Sequence, residues 1–367
     1  MQSTLFHIPA HLGSLPLFGW GGLLALWAVL GAGGLAWTAA REGLTRAVTT
    51  LGVPLAAAGA FILWGLPALD DGAGVPIRGY GVMLLVAAAA GIWLSVRRGR
   101  AVGIDADTIL ALGMEIFLWG LVGARLFYVI EYHHQFFPPD RSLVASLGQV
   151  LNIAQGGLVV FGSLPTAAVA AWRFARRRGL PILPLADVIA PGLLVGLALG
   201  RVGCFLNGCC YGGACDLPWA VRFPPESPPW LDQAARGLLP AVAAGQPPPW
   251  SLPVHPAQLY AAIDAALLAA LAIASTPLAR RPGEVFALVL TLHPISRLLL
   301  EAIRVDEPPL SPYLPLSISQ AIAVVLLALA AVLWWWIGRR PTGDDRDPGG
   351  PPASPARAGR GGGARGC

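Results

Sequence analysis

The chain has 367 residues, 55% of them apolar and only 12% charged, with a formal net charge of +5 and a mean hydropathy of +0.63. A soluble domain of this size carries about a quarter of its residues as charge, so composition excludes that class and indicates a polytopic helical membrane protein. No lysine occurs, so all 25 basic residues are arginines.

Apolar windows of about 19 residues recur about nine times. They lie near Phe18–Trp37, Leu51–Leu69, Tyr80–Val96, Ile109–Ile130, Gly156–Trp172, Ile182–Val202, Leu259–Ser275, Val285–Leu300 and Ser317–Ile337. Gly, Pro and charge interrupt or shorten the fifth, sixth and eighth. No positively charged start precedes a short apolar core, so no cleavable signal peptide is expected. The arginines cluster as Arg41/Arg46, Arg97–Arg100, Arg173 with Arg176–Arg178, Arg280/Arg281 and Arg339/Arg340. With nine spans every cluster falls on one side. The positive-inside rule makes that side cytoplasmic, with the N-terminus outside and the C-terminus inside. Those arginines account for the net charge without a nucleic-acid partner.

Two outside segments are long and proline-rich, His133–Gln155 and Tyr211–Val254. The second mixes Trp219, Arg222, Trp230, Arg236 and Trp250 in a composition suited to the headgroup layer. The tail from Pro341 to Cys367 is Gly, Pro and Arg and is expected to be disordered.

In chain order, Tyr80 opens the third span from the outside, where a tyrosine serves as an interfacial anchor or as a site residue. Glu115, Arg125, Glu131, Asp187 and Asp264 are isolated charges in or near spans, where such groups pair or line a polar cavity. The stretch Gly200–Gly212, GRVGCFLNGCCYG, places Arg201 and Asn207 at the end of a span. An arginine there is costly unless it meets an anion, and in a membrane the available anion is a lipid phosphate. Cys204, Cys209, Cys210 and Cys215 lack the C-x₂-C spacing of common zinc sites, and adjacent Cys209 and Cys210 suit a disulfide poorly. Small-residue packing is the favoured reading, and no metal or cofactor is expected. His255 and His293 titrate near neutrality and are candidate proton acceptors, with a helix-orienting role the alternative for His255. Arg297, Glu301 and Arg304, spaced four and three apart, share one helical face. They form either a structural ion pair or an anion site. One carboxylate cannot neutralise two guanidiniums, and the excess favours phosphate.

These residues give the chain a resemblance to the prolipoprotein diacylglyceryl transferases. GRVGCFLNGCCYG is similar to that family's signature. GGLVVFG at Gly156–Gly162, LADVIAP at Leu185–Pro191, HPAQLY at His255–Tyr260 and RLLLEAIRVDEP at Arg297–Pro308 follow in family order. The resemblance implies a seven-helix core over residues 80–338; the two apolar runs in residues 1–79 are additional helices outside that core. It also implies a periplasmic arm or head region including 211–254, and leaves 339–367 as a cytoplasmic tail. The implied reaction moves the diacylglyceryl group of phosphatidylglycerol to the lipobox cysteine of a prolipoprotein at the inner membrane. A thioether forms and glycerol phosphate leaves. Arg201 and Arg297 match the family's functional arginines and are assigned to the phosphate. Tyr80 matches a tyrosine near the headgroup. Gly156, Gly157, Gly200, Cys204, Asn207 and Gly212 shape the pocket, and Glu301 orients Arg297 and Arg304.

Three positions depart from the family pattern. Cys204 replaces an asparagine, Phe161 a histidine or tyrosine, and Ala261 a glutamate. With Phe161 unable to act as a base, either His255 or His293 takes that part, or the thiolate forms without a dedicated base and the phosphate clamp carries most of the rate. Two alternatives stay open: a diverged relative that binds anionic phospholipid without transfer, and a membrane thiol–disulfide protein.

Overall fold

The computed structural model describes residues 4–138, 141–152, 156–240, 249–304, 309–311 and 314–340. The expected disordered tail, Cys367 and the VDEP end of the Arg297–Pro308 motif lie outside these residues. Among them, nine helices carry the architecture: α1 (Gly22–Glu42), α2 (Leu44–Ala68), α3 (Gly79–Ala101), α4 (Ala106–Glu131), α5 (Val160–Arg177), α6 (Ile182–Asn207), α7 (Ala257–Ser275), α8 (Glu284–Glu301) and α9 (Ile318–Gly338).

Seven of the nine, all but α5 and α8, are long and apolar enough to cross a membrane. The sequence windows therefore fall on helices throughout, but the expected count of nine spans is not confirmed. The two exceptions have 18 residues each. Helix α5 ends in Arg173, Arg176 and Arg177, and α8 contains Glu284, Arg297 and Glu301.

Helix α3 packs most extensively on α6, α4 on α5, α7 on α6, and α8 on α9. Small residues set these distances, as expected where lipid removes the hydrophobic drive for helices to associate. A Cβ on Gly91 of α3 would lie 2.8 Å from the Gly192 carbonyl oxygen of α6. At the arginine-rich end, the Asp187 carboxylate of α6 accepts from the backbone N–H groups of Gly283 (2.6 Å) and Phe286 (2.8 Å), filling donors that the first turn of α8 leaves open. Arg98 of α3 donates to the carbonyls of Asp187 and Val188 and to Thr276 Oγ1. One acid and one arginine thus tie α3, α6, α8 and the end of α7 together.

The opposite end is closed by short strands. Thr4–Ile8 pairs antiparallel with Val75–Arg78, so the two ends of segment 1–79 meet immediately before Tyr80. Helices α1 and α2, which pack on each other, lie between these strands in the sequence. After α6, Gly212 bridges to Arg304 beyond α8, while Ala214 and Val221 both bridge to Val254 ahead of α7. Phe223, Tyr211 and Val254 form a buried cluster there against Phe205 of α6.

Candidate active site

The signature segment occupies the last two turns of α6 and the reversal after it. Gly208 ends the helix in the left-handed conformation (φ 76°), with its N–H bonded to Phe205 O and that of Cys209 to Cys204 O, both at 3.2 Å. This is the usual glycine solution to unpaired terminal carbonyls. Cys210 follows at φ 61°, a left-handed position uncommon for a residue with a Cβ. The reversal carries Cys209 and Cys210 back beside Cys204, and the three Sγ atoms lie within 4.8 Å of one another. All three thiols are free and partly exposed.

The reversal is held from α7 and from the 211–254 segment. Gln258, 1% exposed, donates from Nε2 to Cys209 O at 2.8 Å. Gly212 N–H donates to His255 O, His255 N–H to Gly213 O, and Gly213 N–H to Ile303 O. A Cβ on Gly212 would lie 2.6 Å from His255 Cβ and 2.9 Å from Ile303 O, so only glycine fits there. Outside the spans, hydrogen bonds from the Cys204 and Cys209 thiols, then the charges of Arg201 and Arg304, hold the Cys210 thiol below its ordinary range.

Three helices, α6, α7 and α8, bring charge to this end of the bundle. From α8, Arg297 Nη2 donates to Ser319 Oγ of α9 (2.8 Å) and pairs with Glu301 (2.9 Å). Glu301 also accepts from Ser317 Oγ at 2.8 Å, the residue that caps α9. Arg201, partly buried on α6, has no carboxylate within ion-pair distance among the described residues. His293, one turn before Arg297, lies within electrostatic reach of Arg201, Arg297 and Asp264. Its Nδ1 is buried without a hydrogen-bond partner among the described residues. Asp264 accepts from Ser296 Oγ at 2.7 Å. Tyr80, at the start of α3, lies within reach of Arg201 and the three thiols.

Of the residues singled out in the sequence, Tyr80, Arg201, Cys204, His293, Arg297, Glu301 and Arg304 therefore converge. Gly200 precedes Arg201 on α6, with nothing within 4 Å of a Cβ added to it, and Asn207 closes the helix beside Cys209. His255 sits at the edge: its Nδ1 is 3.5 Å from Tyr260 Oη, which accepts from Trp219 Nε1 at 2.7 Å. Its backbone does the positioning. Gly156 and Gly157 belong to a separate constellation around Arg125 of α4. Arg125, 9% exposed, donates to the carbonyls of Gln149, Val150, Asn152, Gly156 and Gly157. Phe161 is half-buried in the first turn of α5 and offers no proton acceptor. Sequence reasoning missed Gln258, although it stands inside the HPAQLY motif. It also left Arg125 without a partner, because five scattered carbonyls have no sequence signature. A cavity of about 580 Å³ opens beside Asn207, between the strand Thr4–His7 and Phe223–Pro228.

These features define a multi-pass helical membrane protein that gathers guanidinium, imidazole and thiol groups at one end of its helices. The chain belongs to the prolipoprotein diacylglyceryl transferase family, whose family model matches residues 69–336. A relative from Rhodopirellula baltica, described as phosphatidylglycerol–prolipoprotein diacylglyceryl transferase, is 38% identical over 265 residues, covering 68% of this chain and 53% of its own. Proteins of the same description from Streptomyces coelicolor (32% identical, 71% of this chain, 69% of its own) and Thermosynechococcus vestitus (30%, 70% and 87%) are also similar. The match spans about half the length of the Rhodopirellula protein.

Proposed function

We propose that this chain transfers the diacylglyceryl group of phosphatidylglycerol to the lipobox cysteine of prolipoproteins. It would do so in the bacterial cytoplasmic membrane, with its N-terminus outside and its C-terminus in the cytoplasm. The observation that carries the reading is the convergence of Arg201 and Arg297 on His293, within a chain of this family.

The chemistry follows from those groups. The headgroup phosphate lies between Arg201 and Arg297, with Tyr80 beside it at the mouth of α3. A guanidinium fork matches phosphate oxygens in pairs, and Glu301 and Ser319 fix the fork of Arg297. The substrate sulfur attacks the glyceryl carbon attached to the phosphate oxygen. As that carbon–oxygen bond breaks, the bonding pair stays on the oxygen, and the two guanidiniums stabilise the developing charge. The substrate thiol has an ordinary pKa of about 8.5 and must lose its proton before or during attack. His293, with an unoccupied Nδ1, is the acceptor; His255, turned to Tyr260, positions the Gly212 strand.

Incubating the purified chain with phosphatidylglycerol and a lipobox peptide tests the reading by mass spectrometry. A diacylglyceryl adduct on the peptide cysteine, absent with Arg201→Ala, is the expected result. Lipid binding by the folded chain without any adduct would overturn the reading.

A further inference from the structure

We infer that Cys204, Cys209 and Cys210 form a three-thiolate site for a soft divalent cation, zinc in the first instance, whose fourth position receives the substrate cysteine. The inference rests on the transferase reading and adds to its proton acceptor, His293, a cation that would hold the substrate sulfur as a thiolate.

The geometry is built by the backbone rather than by sequence spacing. Intervals of five and one do not read as a metal motif. The left-handed turn at Gly208 and the positive φ of Cys210 nevertheless fold the second and third cysteines onto the first. Gln258 clamps the turn at Cys209 O. The three Sγ atoms lie within 4.8 Å of one another. A metal–sulfur distance of about 2.3 Å in a tetrahedron requires sulfurs about 3.8 Å apart. The thiols therefore need to close by no more than about 1 Å, a shift that small side-chain rotations supply.

The donor set decides the metal and its role. Thiolates select zinc and cuprous copper over the harder cations. Three protein ligands with one open position is the arrangement of catalytic zinc, whereas structural sites close the fourth. Among the described residues no further Cys, His, Asp or Glu joins the three to close it. Cys215, further along the chain, stands outside the cluster. Three thiolates and a divalent cation leave one negative charge, and Arg201 lies within reach of this cluster to balance it. Tyr80, proposed above to meet the headgroup, lies within reach of the same sulfurs.

The step balances without a redox partner. The substrate thiol binds the cation and gives its proton to His293 Nδ1, because a coordinating thiol is deprotonated. A sulfur lone pair then forms the S–C bond to the glyceryl carbon while the C–O bond to phosphate breaks. The bonding pair departs on the phosphate oxygen between Arg201 and Arg297. The product thioether is a weak ligand and leaves, returning the cation to its three cysteines.

Cobalt substitution of the full chain, purified under reducing conditions, tests the site. One cobalt per chain with thiolate-to-metal charge-transfer absorption is expected, lost in Cys204→Ser and in Cys210→Ser and retained in Cys215→Ser. Adding a lipobox peptide should raise that absorption by about a third, as three thiolates become four, whereas the same peptide with serine for cysteine leaves it unchanged. A chelator should abolish adduct formation, and zinc should restore it. Failure of the wild-type chain to bind cobalt stoichiometrically, a disulfide among the three thiols, or transfer indifferent to the chelator would each overturn the site while leaving the transferase reading intact. Absence of adduct under every metal condition would instead count against the transferase, and the peptide-dependent cobalt spectrum would still decide the site.

Discussion

Gln258 reaches across 49 residues of sequence to the carbonyl of Cys209, donating from Nε2 at 2.8 Å, and so holds the reversal after α6 against the start of α7. The side chain is buried, and the turn it holds carries Cys209 and Cys210 at the end of the helix that bears Arg201 and Cys204. Removing the amide takes away the hydrogen bond that holds the Cys209 carbonyl, a loss of about 0.5–1.5 kcal/mol. Gln258→Ala should therefore slow adduct formation more than it lowers the melting temperature, because the damage falls on one turn. A variant with reduced melting temperature and unchanged turnover would show that the clamp has no part in the reaction.

The pair Arg297–Glu301 separates electrostatic from catalytic roles. Glu301 is buried at 5% exposure and Arg297 partly buried at 17%. Breaking such a pair by removing one partner costs about 3–5 kcal/mol, since the other charge stays buried. Arg297→Gln should thus unfold at markedly lower temperature, and Arg297→Gln/Glu301→Gln should recover most of that loss. Neither should form product, because no fork remains for the phosphate. Product from the double variant, measured by the mass shift of the peptide, would remove Arg297 from the phosphate site.

Much of this was legible in the sequence because helices announce themselves locally. Each of the nine apolar windows lies mostly on a helix, and Arg201 at the end of the sixth stands within reach of the clustered thiols. What stayed hidden is non-local. The clustering of Cys204 with Cys209 and Cys210 depends on one left-handed glycine and one left-handed cysteine, not on a recognisable interval. Arg125 reads as one of the span charges that pair with one another or line a polar cavity, yet its partners are five backbone carbonyls, which any sequence could supply. The pairing of Thr4–Ile8 with Val75–Arg78 spans two intervening helices, beyond any window used to detect strands.

Gly156 and Gly157 have similar backbones but different surroundings, which gives a paired test of the Arg125 constellation. Both are left-handed, at φ 87° and 77°. A Cβ at 156 meets nothing within 4 Å, whereas one at 157 would lie 2.5 Å from Tyr128 Cε1 and 2.6 Å from Arg125 Nη1. Gly156→Ala should cost only the left-handed penalty, about 1–2 kcal/mol. Gly157→Ala should cost more, and should expose the chain to protease near Gln149–Asn152 as Arg125 is displaced. Equal effects in the two variants would mean that the arginine does not organise this segment.

The strand pair before Tyr80 offers a test of whether α1 and α2 take part in the reaction. Ile8 stands opposite Val75, so the strands are already in hairpin register with two helices between them. Replacing residues 9–74 with Asn-Gly would join Ile8 to Val75 through a two-residue turn of the type that matches strand twist. Loss of two spans is an even change and preserves the orientation of everything after Tyr80. The cavity beside Asn207 keeps its wall, because Thr4–His7 remains in place. This shortened chain should transfer diacylglyceryl groups within a few-fold of the full chain, about 1 kcal/mol in the barrier. Deleting residues 1–74 outright removes the strand as well and with it one wall of the cavity beside Asn207, and should lower the melting temperature more than the hairpin replacement does. Should the hairpin chain fold and bind lipid yet form no adduct, α1 and α2 would belong to the catalytic unit rather than stand outside it.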